Sequence, residues 1–214
     1  MNCLTIWFVC LVVIIIFSAL AAVGLYYCND VARFTDMSND GIYTYKVIDR
    51  YPNKRMASDI LHDLNESALK LIHHLELRYN NTHNVQIREV VERLRDRYPK
   101  TLYEVDPVWE SGHKAYTRNS KYIYMCLREK TNKFYDMNLL KFVFFHELSH
   151  IATSKKYIKG DDHPEQFWKV FRFILINAES LGLINIERYS KDNPRYYGSI
   201  LITSNPYYDS SLSM

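Results

Sequence analysis

His146-Glu147-Leu148-Ser149-His150 lies inside an apolar run that includes Leu139-Leu140-Lys141-Phe142-Val143-Phe144-Phe145. Between Asn138 and Thr153 there is no Gly or Pro, and the charges are Lys141 and Glu147. That pattern predicts a buried helix. Unpaired polar groups are costly to bury, so two imidazoles and a carboxylate on such a helix need partners. The spacing supplies one. Residues i and i+4 share a helix face, so His146 and His150 can point at one metal ion. Glu147, beside the first ligand, then reaches a metal-bound water and takes its proton. The competing reading is a pair of hydrogen-bonded core histidines with a surface glutamate.

A catalytic zinc site takes three protein ligands and leaves a fourth position for water. Twelve residues separate His150 from His163, in Asp161-Asp162-His163-Pro164-Glu165-Gln166-Phe167-Trp168. The intervening Ser154-Lys155-Lys156-Tyr157-Ile158-Lys159-Gly160 is polar and ends in Gly, as a helix exit does. His163 is therefore the expected third ligand, at the start of the next helix. Asp161 and Asp162 are placed to cap that helix or to orient His163. Glu165 and Glu179 are rival ligands; Glu179 would make a two-His-one-Glu site.

The pattern F-x-H-E-L-x-H, a polar loop, then D-H-x-x-x-F-W resembles the WLM and SprT-like zinc metallopeptidases. The stretch Tyr122-Ile123-Tyr124-Met125-Cys126-Leu127-Arg128-Glu129-Lys130, followed by Asp136-Met137-Asn138-Leu139-Leu140 and the motif, is similar to metallopeptidases predicted in large DNA viruses. The resemblance covers residues 100 to 205. It implies a zincin-like α+β fold, Zn2+ on His146, His150 and His163, Glu147 as general base, and a protein or peptide substrate. The loop between His150 and His163 is longer and more basic than the family's. The group's association with proteins crosslinked to DNA is not carried over, and no nucleic-acid partner is expected.

From Met1 to Asn29 no side chain is charged, and Leu4 to Tyr27 is apolar over 24 residues. As a helix this run spans roughly 36 Å, against a hydrocarbon core of about 30 Å. Trp7, Tyr26 and Tyr27 suit the two interfaces. The run is longer than a signal-peptide core and lacks a basic start, although Ser18-Ala19-Leu20-Ala21-Ala22 offers a cleavage site. The expectation is an uncleaved single-pass anchor in a host or virion membrane, with lipid as partner. Arg33 and Lys46 put the remainder on the cytosolic side. Asn65-Glu66-Ser67 and Asn80-Asn81-Thr82 match the glycosylation pattern and would be used only on the other side. Domain limits follow: anchor 1–29, juxtamembrane segment 30–55, zincin-like domain 56–205 and tail 206–214.

A net charge of +3 is a mild excess that does not indicate nucleic acid. Arg88, Arg93, Arg95, Arg97 and Lys100 are interleaved with Glu89, Glu92 and Asp96, as on a solvated helix face. Of four cysteines, Cys3 and Cys10 belong to the hydrophobic N-terminal segment, and the remaining two, Cys28 at its edge and Cys126, are too few for a disulfide scaffold.

Helical periodicity is expected over 57–79, 85–97 and 164–181, the last closed near Gly182. His73 and His74 on the first are adjacent and cannot share a metal as an i,i+4 pair. Strands are expected at 102–105, 114–118 and 121–127, and possible extended structure at 42–48. Residues 121–127, just before the motif helix, are the expected sheet edge for an extended peptide. In the tail, Tyr196 or Tyr197 is the candidate oxyanion stabiliser. Two other classes stay open. One is a catalytically inactive, membrane-tethered binding or scaffold protein with a structural zinc site. The other is a metal hydrolase acting on something other than protein.

Overall fold

The computed structural model describes residues 34–37, 41–108, 114–118, 122–157 and 161–214. Its elements in chain order are β1 (Phe34–Met37), β2 (Thr44–Ile48), α1 (Lys54–Tyr79), α2 (Val85–Arg97), β3 (Thr101–Glu104), β4 (Ala115–Arg118), β5 (Tyr122–Met125), α3 (Met137–Ala152), α4 (Glu165–Ser180), β6 (Arg195–Tyr197) and β7 (Ile200–Ile202). The helices form where the apolar periodicity places them. On α1 the stripe Ala57, Leu61, Leu64, Ala68, Leu71, Leu75 is fully buried. The Asn84 side chain caps α2, accepting from the backbone N–H of Gln86 and Ile87. Asp136 caps α3, accepting from Leu139 N–H. The charges on α2 are solvated and paired, Arg93 with Glu89 and Arg95 with Asp96.

Five strands make a mixed sheet in the order β1-β2-β3-β5-β4. β2–β3 and β3–β5 are parallel; β1–β2 and β4–β5 are antiparallel. Helices plus a small mixed sheet are the fold class expected. The segment read as juxtamembrane contributes β1 and β2, and residues 34–214 form one compact unit.

Alternation of side chains sends Tyr45, Val47, Leu102, Ile123 and Met125 to the helical side, where they join Leu64, Phe144, Phe145 and Ile174 in the core. The opposite face carries a tyrosine ladder. Tyr103 stacks on Tyr124 at 4.6 Å, and Tyr124 on Tyr116 at 4.4 Å. These half-buried rings cover the face opposite the described helices.

Two polar networks tie the sheet down. Arg128 and Glu104 form an ion pair with both side chains fully buried. Arg128 Nε donates to Glu104 Oε1 at 2.7 Å and Nη1 to Pro52 O at 2.9 Å. Ile48 N–H donates to Glu104 Oε2 at 2.9 Å. The guanidinium sits over the Phe134 ring at 4.3 Å. Burial raises the Glu104 carboxyl, while Ile48 N–H and Arg128 pull it back.

The second network fastens the hairpin β6–β7. Tyr197 Oη donates to Cys126 O at 2.8 Å and lies 3.1 Å from Lys114 O. Gly198 N–H donates to Tyr135 Oη, and Arg195 pairs with Asp136, the α3 cap. Gly198 has φ +61, and a Cβ there would lie 2.8 Å from Lys114 Cγ, so both conformation and space demand glycine.

Among the described residues no helix is long and apolar enough to cross a membrane. α1 has 26 residues but carries charge on every turn, including Lys54, Asp59, Asp63 and Lys70. The apolar α3 has 16 residues, about 24 Å against a core of about 30 Å. This finding corrects the single-pass membrane localisation expected above, and with it the orientation. The expected span itself, residues 4–27, lies outside the described residues. Asn65 is also corrected as a glycosylation site: it is fully buried on α1 and accepts from Tyr98 Oη at 2.9 Å.

Candidate metal centre

α3 presents His146 and His150 one turn apart on the side facing α4. The chain turns back after Thr153 and delivers His163 immediately before α4. Asp161 Oδ1 accepts from His163 N–H at 2.9 Å and shapes that turn. The three rings form a nearly equilateral triangle, with centroids 5.0, 4.9 and 4.9 Å apart. One ligand atom from each lies within 4.8 Å of the others. His146 Nε2 and His163 Nε2 are 3.1 Å apart. Two nitrogens on a tetrahedral zinc at its usual bond length would be about 3.3 Å apart, so the donor set fits such an ion.

The electrostatics suit a cation. Burial, with His150 and His163, holds His146 well below the ordinary histidine value. Burial and His163 bring His150 down to about 4. Burial lowers His163, opposed by Asp162 and Asp161. All three are therefore neutral at pH 7, with lone pairs free for a metal. Glu147 is 3% exposed. Its carboxyl is pushed up to about 8 by burial, with Thr117 pulling the other way. Thr117 Oγ1 donates to Glu147 Oε2 at 2.9 Å. A divalent cation nearby would favour the ionised carboxylate.

The other expected residues fall as follows. Glu179 is exposed near the end of α4 and outside the imidazole group, and Glu165 is exposed and paired with Lys169. Asp162 is exposed and acts on His150 and His163 through its charge. Tyr197 is buried with its hydroxyl committed to backbone carbonyls, and Tyr196 is 65% exposed. The expected peptide-binding edge is corrected. β5 lies inside the sheet between β3 and β4, so the outer strand beside α3 is β4.

Two residues contribute that the motif did not reveal in these roles. Thr117 is a strand threonine like any other until β4 is laid against α3. Phe167 stood in the sequence only as a partner of Trp168. It is fully buried and packs on all three imidazoles, with centroid distances of 4.8, 4.5 and 4.6 Å.

No family model matches the chain. Over 158 residues it is 30% identical to an uncharacterized protein of Acanthamoeba polyphaga mimivirus, spanning 72% of this chain and 76% of that protein. The chain belongs to that viral protein's family. It is also 34% identical over 77 residues to an uncharacterized protein of Invertebrate iridescent virus 6, across 35% of this chain and 40% of the other. Both relatives are viral, as the resemblance implied. Among solved structures it is similar to a Wss1 mutant from Saccharomyces cerevisiae, with a TM-score of 0.42 and 16% identity over 64% of this chain and 88% of that one.

For this member of the viral family, Phe167→Ala is expected to remove the floor under the triad. The cavity would cost about 3–5 kcal/mol. The loosened imidazoles would lose roughly 10–100-fold in metal affinity, as when supports behind metal ligands are removed. Urea denaturation and competition with a chromogenic chelator measure the two effects; unchanged metal affinity would refute the supporting role.

Proposed function

We propose that this chain is a zinc-dependent peptidase of the WLM and SprT-like, zincin type, similar to viral members of that group, and that it hydrolyses internal peptide bonds. The observation that carries the reading is the juxtaposition on α3: three neutral imidazoles converge on one point, and the buried Glu147 carboxylate adjoins the first of them. His146, His150 and His163 would hold the ion, and the described residues add no fourth His, Cys, Asp or Glu to the group. Bound there, Zn2+ supplies a Lewis acid that polarises a carbonyl and acidifies water.

The chain's own residues do the rest. Glu147 accepts a proton from the attacking water and passes it to the nitrogen of the leaving amine. Burial of its carboxylate keeps bulk water from competing for that proton. β4, as the outer strand next to α3, holds the substrate in extended form through backbone hydrogen bonds. The substrate is protein or peptide.

The test is bound metal and casein cleavage by the full-length protein. Stoichiometric zinc and cleavage that a chelator stops and added zinc restores would support the reading. Zinc without cleavage would favour a binding protein with a structural ion. No zinc would remove the basis for it.

A further inference from the structure

Thr117 joins two parts of the molecule that hydrolysis would use together. It lies on the outer strand, and among the described residues it is the one side chain that hydrogen-bonds the Glu147 carboxylate. The register shows what its backbone does. Cys126 N–H donates to Lys114 O at 2.8 Å, so these two residues face each other as a hydrogen-bonded pair. The pairing continues as Ala115 with Met125, Tyr116 with Tyr124 and Thr117 with Ile123. Antiparallel partners alternate between bonded and non-bonded pairs. Tyr116 therefore turns its N–H and C=O toward β5, and Ala115 and Thr117 turn theirs to the other side, where β4 is the outermost of the described strands. Side chains alternate as well: Tyr116 stacks on Tyr124 on the face opposite the described helices, while Thr117 reaches Glu147. One residue thus offers its backbone to a docking strand and its hydroxyl to the general base.

A carboxylate held at one oxygen has its plane fixed, and the second oxygen is left to take a proton. Glu147 sits on a helix, where its own rotamers alone would set that plane. The threonine sets it from the sheet instead.

We propose that Thr117 is a positioning residue that orients Glu147 and couples that orientation to the seating of a peptide strand on β4. The proposal rests on the peptidase reading. Thr117→Val keeps the shape and the backbone bonds but removes the hydroxyl. The effect is therefore expected in turnover, not in binding. With full-length protein and casein, kcat should fall about 10–100-fold while KM stays within about twofold. Thr117→Ser should restore kcat to within about threefold of the parent. Zinc content should be the same in all three.

A second readout needs no activity. Each protein is loaded with Co2+, whose absorption bands report the environment of its open position. The Thr117→Val spectrum should move toward that of Glu147→Gln, and the Thr117→Ser spectrum should stay with the parent. A Thr117→Val protein with parental kcat and spectrum overturns the proposal. So does equal loss in both variants accompanied by a lowered melting temperature, which would mark a packing role. A parent that binds Co2+ but never cleaves casein defeats the peptidase reading alone, and the spectra then decide the role of Thr117. A parent that binds neither ion overturns both.

Discussion

Glu147→Gln is expected to lower casein cleavage by about 10³-fold or more while zinc content stays at the parental level. The amide keeps the shape of the side chain and can still accept from Thr117, so folding is unaffected. It cannot take a proton from water or return one to an amine. The fully buried Phe167 and the three converging imidazoles are untouched, so the metal stays. His146→Ala makes the contrast. It removes one of three ligands, so zinc and cleavage should vanish together, and the stabilisation that bound zinc gives the folded state should vanish with them. Elemental analysis, a cleavage assay and a thermal melt on the two variants separate loss of base from loss of metal. Retained turnover in a clean Glu147→Gln preparation would sink the assignment.

The second large effect lies away from the metal. Arg128→Met is expected to destabilise the protein by about 3–5 kcal/mol, because it leaves Glu104 charged and buried with no counter-ion. In a chain of this size that is roughly 10 °C in melting temperature. The pair is fully buried, so the penalty is not relieved by solvent. Adding Glu104→Gln to that variant should recover part of the loss. The neutral amide needs no counter-charge and still accepts from Ile48 N–H. Thermal melts of both single variants and the double variant check this. Simple additivity of the two losses would show that the residues do not act as a pair.

What the sequence disclosed depended on how local the cause was. α2, expected at 85–97 and found at Val85–Arg97, was legible to its ends because its apolar spacing is a nearby signal. His146 and His150 were legible because an i,i+4 pair is fixed by helix geometry. The role of Thr117 was not, because it depends on which of two neighbouring strands is outermost. The hairpin Lys114–Cys126 and its continuation look the same in sequence whether β4 or β5 faces outward; pairing with β3, twenty residues earlier, decides it. β6 and β7 are three residues long, too short for a period-2 pattern to stand out. The tail tyrosines were read as chemistry, whereas Tyr197 is held by two backbone carbonyls.

The hairpin has a consequence in time. The imidazole triad is complete once residue 163 has been made, and Thr117 and Glu147 precede it. The clasp formed by Arg195, Tyr197 and Gly198, which ties the start of β4 to the cap of α3, comes off the ribosome about thirty residues later. A growing chain thus possesses all three imidazoles before the strand that carries Thr117 is tied down.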